Sequence, residues 1–381
     1  MNKYIYNFRK SLSLFILSIA LKINSHQLCA LILWLNIRKL RSIKFKNNNP
    51  KRILIFSKSG GNEDLRESFR NNTNNNIIFF CIPRSFLKKI FSYYFKNKNY
   101  KDYFTKTTNL AERNKKNSYV KFLTTTFTFM DKLLKLDGLI SFNIFYYAEK
   151  YLDQVCKNLD KKFIILHKES TFTPIEERGA LKVYKNNNDK TLSHKISVYS
   201  EVQKKILIQS KIAKNNQIVV NGCPRSDYAF RLRKLKPKKK IIVYYMIENN
   251  RGSDLISNKI KINWTKLYDQ TLKYLLEYAK KNPDVKLILK GKTGVHANNR
   301  FSSKTLPKNC TFIDGGTGEK LLENAKVIIA FNSTIVLEAI AGNRNLIIPN
   351  FNNEKEKKKN FLYRINIKKN FANSKNQFTK K

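Results

Sequence analysis

From residue 50 onward the chain alternates short unbroken apolar runs with longer segments whose apolar residues recur at spacings of three and four. The runs RILIF (52–56), IIFFCI (77–82), FIILH (163–167), KISVYS (195–200) and QIVV (217–220) predict strands. IIVYYMI (241–247), VKLILK (285–290), TFID (311–314), VIIAF (327–331) and NLIIP (345–349) repeat the pattern. Between them, LRESFR, YYAEKYLDQVCKNL (146–159), EVQKKILIQSKI, a segment around 263–281, EKLLENA (319–325) and STIVLEAIAG (333–342) read as helices. LDGLISFN (136–143) reads as a strand and turn, and 86–135, rich in Phe, Tyr and Lys, as helical with loops. NGCPRSD (221–227) is a cluster of turn formers at a strand end.

Repeated strand–helix units with short apolar strands predict an α/β chain with parallel sheets covered by helices on both faces. The basic, Pro-containing stretch RLRKLKPKKK (231–240) reads as a linker between two such blocks. The expected organisation is a helical extension over 1–48, one doubly wound domain over 49–230, the linker, a second domain over 241–350 and a basic tail over 351–381.

MNKYIYNFRK followed by SLSLFILSIAL resembles the charged and apolar regions of a signal peptide, but Lys22, Asn24, His26 and Gln27 interrupt the run that a spanning helix of about 20 apolar residues needs. Two amphipathic helices fit better. They either lie on the inner membrane surface or cap the following domain, with a signal anchor as the third option.

Composition changes this picture in one respect. The 75 Lys and Arg against 27 Asp and Glu leave a net charge of +48, which would draw the chain to nucleic acid or an anionic membrane. Yet Lys and Asn are used heavily throughout, as in NNTNNN and KNNND, a pattern of compositional drift; no nucleic-acid-binding motif accompanies it, so no nucleic-acid partner is expected. The five cysteines are dispersed without CxxC spacing, so neither a disulfide framework nor a zinc site is expected, and the compartment is the cytoplasm.

Candidate chemistry follows from the strand ends, because doubly wound sheets bind ligands beyond the carboxyl ends of their strands. Gly60 and Gly61 follow the first strand and allow close backbone approach, though no dinucleotide fingerprint is present. His167 and Glu169 follow FIIL and are candidates for a general base. Gly222, Arg225 and Asp227 would line a cleft between the domains, with Arg225 binding phosphate or pairing with Asp227 to hold the turn. Lys290 and His296 follow VKLIL as cations for a phosphate; KGKTG (290–294) lacks the first glycine of a phosphate loop. Asn332, Ser333 and Thr334 would open a helix at a strand end, a setting suited to a diphosphate, with Glu338 one turn further on.

The ordered set HKES, KISVYSE, IVVNGCPRSD, KLILKGKTGVH and VIIAFNSTIVLEAIAGNRNLIIP resembles bacterial surface-carbohydrate (capsule or lipopolysaccharide) biosynthesis proteins of the GT-B glycosyltransferase type. In layout it is similar to non-hydrolysing UDP-N-acetylglucosamine 2-epimerases and to CDP-glycerol glycerophosphotransferases. The resemblance covers roughly residues 50–350. It implies two Rossmann-like domains facing a cleft, with a nucleotide-activated sugar on the second. Ser333 and Thr334 would meet its diphosphate, Glu338 its hydroxyls, and Lys290 or His296 its phosphates. The first domain would bind a polysaccharide or lipid-linked glycan acceptor, with Glu169 or His167 as base. No metal or other cofactor is implied. The epimerases carry Ser-Gly-Gly where this chain has Asn332-Ser333-Thr334, which favours a transferase over a 2-epimerase. The short sequence after NLIIP departs from the architecture and leaves open a degenerate, noncatalytic homologue; a nucleic-acid binder driven by charge is the alternative of another class.

Overall fold

The computed structural model describes residues 3–40, 49–58, 60–69, 77–96, 109–168, 174–187, 190–237, 240–246, 264–291, 306–314, 318–331, 333–349 and 371–372. It divides into two compact units, residues 1–170 with 181–224 and residues 171–180 with 225–381.

The first unit opens with helices α1 (Lys3–Lys22) and α2 (His26–Leu35). Then follow β1 (Arg38–Leu40), β2 (Lys51–Ser57), α3 (Gly61–Ser68), β3 (Ile77–Pro83), α4 (Arg84–Tyr94) and α5 (Leu110–Leu134). It continues through β4 (Gly138–Ser141), α6 (Leu152–Asn158), β5 (Lys162–Leu166), α7 (Pro174–Asn187), β6 (Lys195–Val198), α8 (Glu201–Gln209) and β7 (Ile218–Val220), the division of units falling within α7. The seven strands lie in the order β1-β3-β2-β4-β5-β6-β7. Six are parallel, and β1 runs antiparallel at the edge, Arg38 opposite Cys81. The strands fold this way because consecutive residues such as Leu54, Ile55 and Phe56 are all apolar, so both faces of the sheet must be covered. Ile55, Cys81, Ile140 and Phe142 gather against Leu65 of α3. Helix starts carry the expected caps: Ser25, Asn109 and Ser200 accept from the backbone N–H groups of Leu28, Glu112 and Gln203. α2 packs on α5, and α1 on α2 and α4, burying Leu17, Leu21, Cys29 and Leu33. The N-terminal helices therefore cap the first unit.

α9 (Pro224–Arg231) stands at the division between units. The second unit then contains β8 (Ile241–Tyr245), α10 (Trp264–Lys281), β9 (Lys286–Lys290), β10 (Cys310–Ile313), α11 (Glu319–Asn324), β11 (Val327–Ile329), α12 (Ile335–Ala341), β12 (Asn345–Pro349) and β13 (Phe371–Ala372). Its six strands are all parallel, in the order β10-β9-β8-β11-β12-β13. Val243, Leu287, Leu289, Ile328, Ile329 and Ile347 form its core. The protein is thus an α/β chain with two Rossmann-like, doubly wound sheets.

Three local expectations change. NGCPRSD is not turn throughout: α9 begins at Pro224, whose fixed φ is preorganised for the first helical position. The helix expected over 146–159 is confined to Leu152–Asn158, because residues before it are drawn into a buried polar cluster described below. In the stretch read as a linker, Leu232 is buried and Arg233 Nε donates to the Ala341 carbonyl (2.7 Å), so this part is packed onto the second unit. The edge strand β1 and helix α7 have no counterpart in the expected elements.

Candidate functional site

In each sheet the strand order reverses once, and the crevice at that reversal is where a doubly wound sheet presents its carboxyl ends to a ligand. In the first unit it lies between β2 and β4; in the second, between β8 and β11.

At the carboxyl edge of the first sheet, Gly60 takes a left-handed φ of 83° and its N–H is accepted by the Glu63 carboxylate (2.5 Å). Gly61 is buried, and a Cβ placed there would lie 2.3 Å from the Phe142 ring. Its lack of a side chain serves that close packing. Tyr199, just after β6, donates its hydroxyl to the Asp64 carboxylate and ties β6 to α3. His167 is buried in edge-on contact with Phe145 (centroids 5.8 Å apart), its backbone N–H bonded to the Ser197 carbonyl (2.8 Å). Lys168 is buried beside it, its N–H on the Phe142 carbonyl. Glu169, the other candidate base, lies outside the described residues.

The polar centre of this edge was not anticipated from sequence. Arg84, first residue of α4, is 6% exposed and donates its Nε–H to Glu149, which is 1% exposed. Ser141 at the end of β4 donates to the other Glu149 oxygen. The guanidinium lies 3.8 Å from the Tyr146 ring centroid, and the Lys58 ammonium 5.6 Å from it. One buried ion pair thus joins the ends of β3 and β4 and the 146–149 turn around the first reversal. The only advance signal was an Arg and a Glu placed in otherwise apolar surroundings.

Gly222 has φ of 73°, with open space where a Cβ would stand, so backbone conformation alone selects glycine there. Arg225 and Asp227 both lie on α9, Arg225 half-buried and Asp227 exposed.

At the second reversal, Tyr245 ends β8 and donates its hydroxyl to the Gly318 carbonyl (2.6 Å). A Cβ on Gly318 would meet that ring at 2.7 Å. Across the crevice, Ser333 and Thr334 are half-buried after β11. Thr334 stands at the N-cap of α12 with helical φ and ψ and no side-chain capping bond, so its hydroxyl is not used to close the helix. Glu338 is buried one turn on. Lys290 ends β9, buried, with Nζ donating to the Gly291 carbonyl (2.6 Å). Desolvation lowers its pKa, opposed by nearby Asp314. His296 and Asn332 lie outside the described residues. Structure therefore brings Ser333, Thr334 and Glu338 together at one strand end and puts Lys290 two strands away in the same sheet.

Arg344 is a second buried cation that sequence reading passed over. It donates to the carbonyls of Leu322, Leu235, Leu232 and Glu323 at 2.9, 3.2, 3.2 and 3.4 Å, joining the end of α11 to the segment after α9. Burial pushes the thiols of Cys29 and Cys156 up to about 12 and that of Cys310 to about 11, which removes them as nucleophiles. Among the described residues, no group of three His, Cys, Asp or Glu could hold a metal ion, and no helix is long and apolar enough to cross a membrane.

No family model and no curated protein matches the sequence. Among solved structures, the chain is similar to the wall teichoic acid polymerase TagF at 12% identity, covering 98% of this chain and 87% of that one with a TM-score of 0.44. It is similar to UDP-N-acetylglucosamine 2-epimerase from Rickettsia bellii at 12% identity, covering 79% and 78% with a TM-score of 0.43. It is likewise similar to the lipopolysaccharide outer core galactosyltransferase WaaB at 12% identity, covering 79% and 80% with a TM-score of 0.37. These are what the chain is similar to, and at such identities they carry no assignment of activity.

Proposed function

We propose that the protein is a glycosyltransferase that moves a sugar, or a related group, from a nucleotide-activated donor to a surface polysaccharide or lipid-linked glycan on the cytoplasmic side of the membrane. The observation that carries this reading is the second reversal point. Ser333 and Thr334 stand half-buried at the end of β11, with hydroxyl donors at the place where a doubly wound sheet takes a phosphorylated ligand. In this reading their hydroxyls hold the donor's diphosphate, the N–H groups of Val336 and Leu337 being taken by the Ser333 and Thr334 carbonyls. The adjacent β8 edge, with Tyr245 tied to Gly318, forms the opposite wall.

Glu338, one turn down from Thr334, accepts hydrogen bonds from ribose or sugar hydroxyls. Lys290 contributes positive charge from β9, at a desolvation cost visible in its lowered pKa. Fixed hydroxyl dipoles and one cation would stabilise the departing diphosphate without a metal ion. The carboxyl edge of the first sheet, around Lys58, Arg84 and Glu149, would receive the acceptor, and the base would come from the segment after β5, where His167 and Glu169 lie.

A panel of UDP, CDP, GDP, CMP and an RNA homopolymer, read by thermal shift at physiological salt, tests this reading. A ligand at about 100 times its Kd adds about 2.7 kcal/mol of apparent stability. A shift with one nucleoside diphosphate is the expected result. A shift with RNA alone would mean that the +48 charge is the function, and conversion of a sugar nucleotide without any acceptor would mean a 2-epimerase.

A further inference from the structure

α1 has two apolar faces, and only one is covered. Leu17, Ala20 and Leu21 turn inward and are buried. Tyr4, Phe8, Leu12, Phe15, Ile19 and Ile23 recur at spacings of four and three and therefore share the opposite face. All six are exposed, Tyr4 at 83%, Phe8 at 72% and Phe15 at 64%. Trp34 and Leu35, at the end of α2, are exposed as well. An apolar stripe of this length, running from the first turn of α1 to just past its end, is not left open to water without a use.

We infer that this stripe lies in the interfacial layer of an anionic phospholipid membrane, with α1 parallel to the surface. The choice of occupant rests on charge. The first 62 residues contain twelve Lys and Arg and no Asp or Glu; Glu63 is the first acid in the chain. Arg9 and Lys22 on α1 and Arg38 and Lys39 on β1 are exposed, Arg9 reaching the Leu35 carbonyl and Arg38 lying over the Tyr6 ring. Two copies of the chain meeting face to face would bring these like charges together, whereas anionic headgroups neutralise them, each basic residue near such a surface contributing about 1 kcal/mol. The stripe's Tyr and Phe side chains, with Trp34 nearby, are of the kind that settles at the headgroup boundary. α1 ends at Lys22 and is not long and apolar enough to cross the bilayer. This inference is independent of what the second sheet binds and stands or falls separately from the proposed reaction.

Vesicle flotation with the full chain tests it, using phosphatidylcholine alone and phosphatidylcholine mixed with phosphatidylglycerol. The wild type is expected to float with the mixed vesicles, weakly with the neutral ones, and less as salt rises. Phe8→Ser/Phe15→Ser keeps the charge and alters only exposed side chains. It should retain the wild-type Tm and any nucleotide-induced thermal shift, while partitioning about tenfold or more weakly. Failure of the wild type to bind the mixed vesicles, equal binding to both vesicle types, or equal binding by the variant would overturn the inference. So would sedimentation showing a dimer that the variant converts to monomer, since the stripe would then be a contact between copies.

Discussion

The Arg84–Glu149 pair offers the sharpest test of how the first unit is held together. Both side chains are nearly devoid of solvent, and the carboxylate is held by the Arg84 Nε–H and the Ser141 hydroxyl. Replacing Glu149 with Leu strands the guanidinium without its counter-charge. Breaking a buried pair in this way costs about 3–5 kcal/mol, and the released Ser141 hydroxyl adds about 1 kcal/mol. Arg84→Met strands the carboxylate instead and removes the stacking on Tyr146, with a similar total. The double variant Arg84→Met/Glu149→Leu removes both members of the pair together and should lie within about 2 kcal/mol of wild type, because apolar replacement of a whole pair is often close to neutral. The two changes should therefore couple by at least about 3 kcal/mol in a double-mutant cycle. Urea unfolding followed by Trp34 fluorescence in a Trp264→Phe background reads the first unit specifically, since Trp34 lies on α2 and Trp264 on α10. Simple additivity of the two single variants, or a single variant costing less than about 1 kcal/mol, would refute the assignment of the pair as the centre of this edge.

Two further outcomes follow from the second unit. Arg344→Lys keeps the charge but loses the planar fork that reaches four carbonyls at once, and should destabilise that unit by about 2 kcal/mol, read by urea unfolding followed by Trp264 fluorescence in a Trp34→Phe background. Lys290→Met should stabilise the protein at neutral pH while weakening diphosphate binding. In wild type the Lys290 pKa is lowered from 10.5 by desolvation. The unfolded chain then binds more protons between the lowered value and 10.5, so this group's share of stability rises with pH across that window. Melting curves recorded across alkaline pH should show that rise in wild type and lack it in Lys290→Met.

Much of the framework was legible because the strands advertise themselves. RILIF lies inside β2 and IIFFCI inside β3, since a strand covered on both faces must be apolar without alternation. The long helix around 263–281 also matches α10 closely, its apolar spacing being unambiguous over four turns and more. What escaped was decided by tertiary contacts. β1 is three residues, Arg-Lys-Leu, with no strand pattern of its own, and exists because β3 offers it an edge. The helical periodicity of 146–151 loses to Arg84, which stacks on Tyr146 and claims Glu149. Proline at the head of α9 was read as a turn former, although Pro followed by Asp in the first turn is equally a helix start. For a donor site, strand-end reasoning selects Ser333, Thr334 and Glu338, which lie together after β11. It could not find Arg84, Glu149 or Arg344, whose partners are remote in sequence and mostly backbone carbonyls or single side chains.

The most direct measurement is a calorimetric titration of the nucleoside diphosphate that gives the thermal shift, against wild type and Thr334→Asp. Thr334 is half-buried and its hydroxyl makes no capping bond, so the substitution places a carboxylate where the diphosphate would lie and should leave the fold intact. The account predicts saturable 1:1 binding to wild type, weakened at least about tenfold, or about 1.4 kcal/mol, in the variant at unchanged Tm. Binding of equal strength to both proteins would place the nucleotide elsewhere and contradict the assignment of the second reversal point as the donor site.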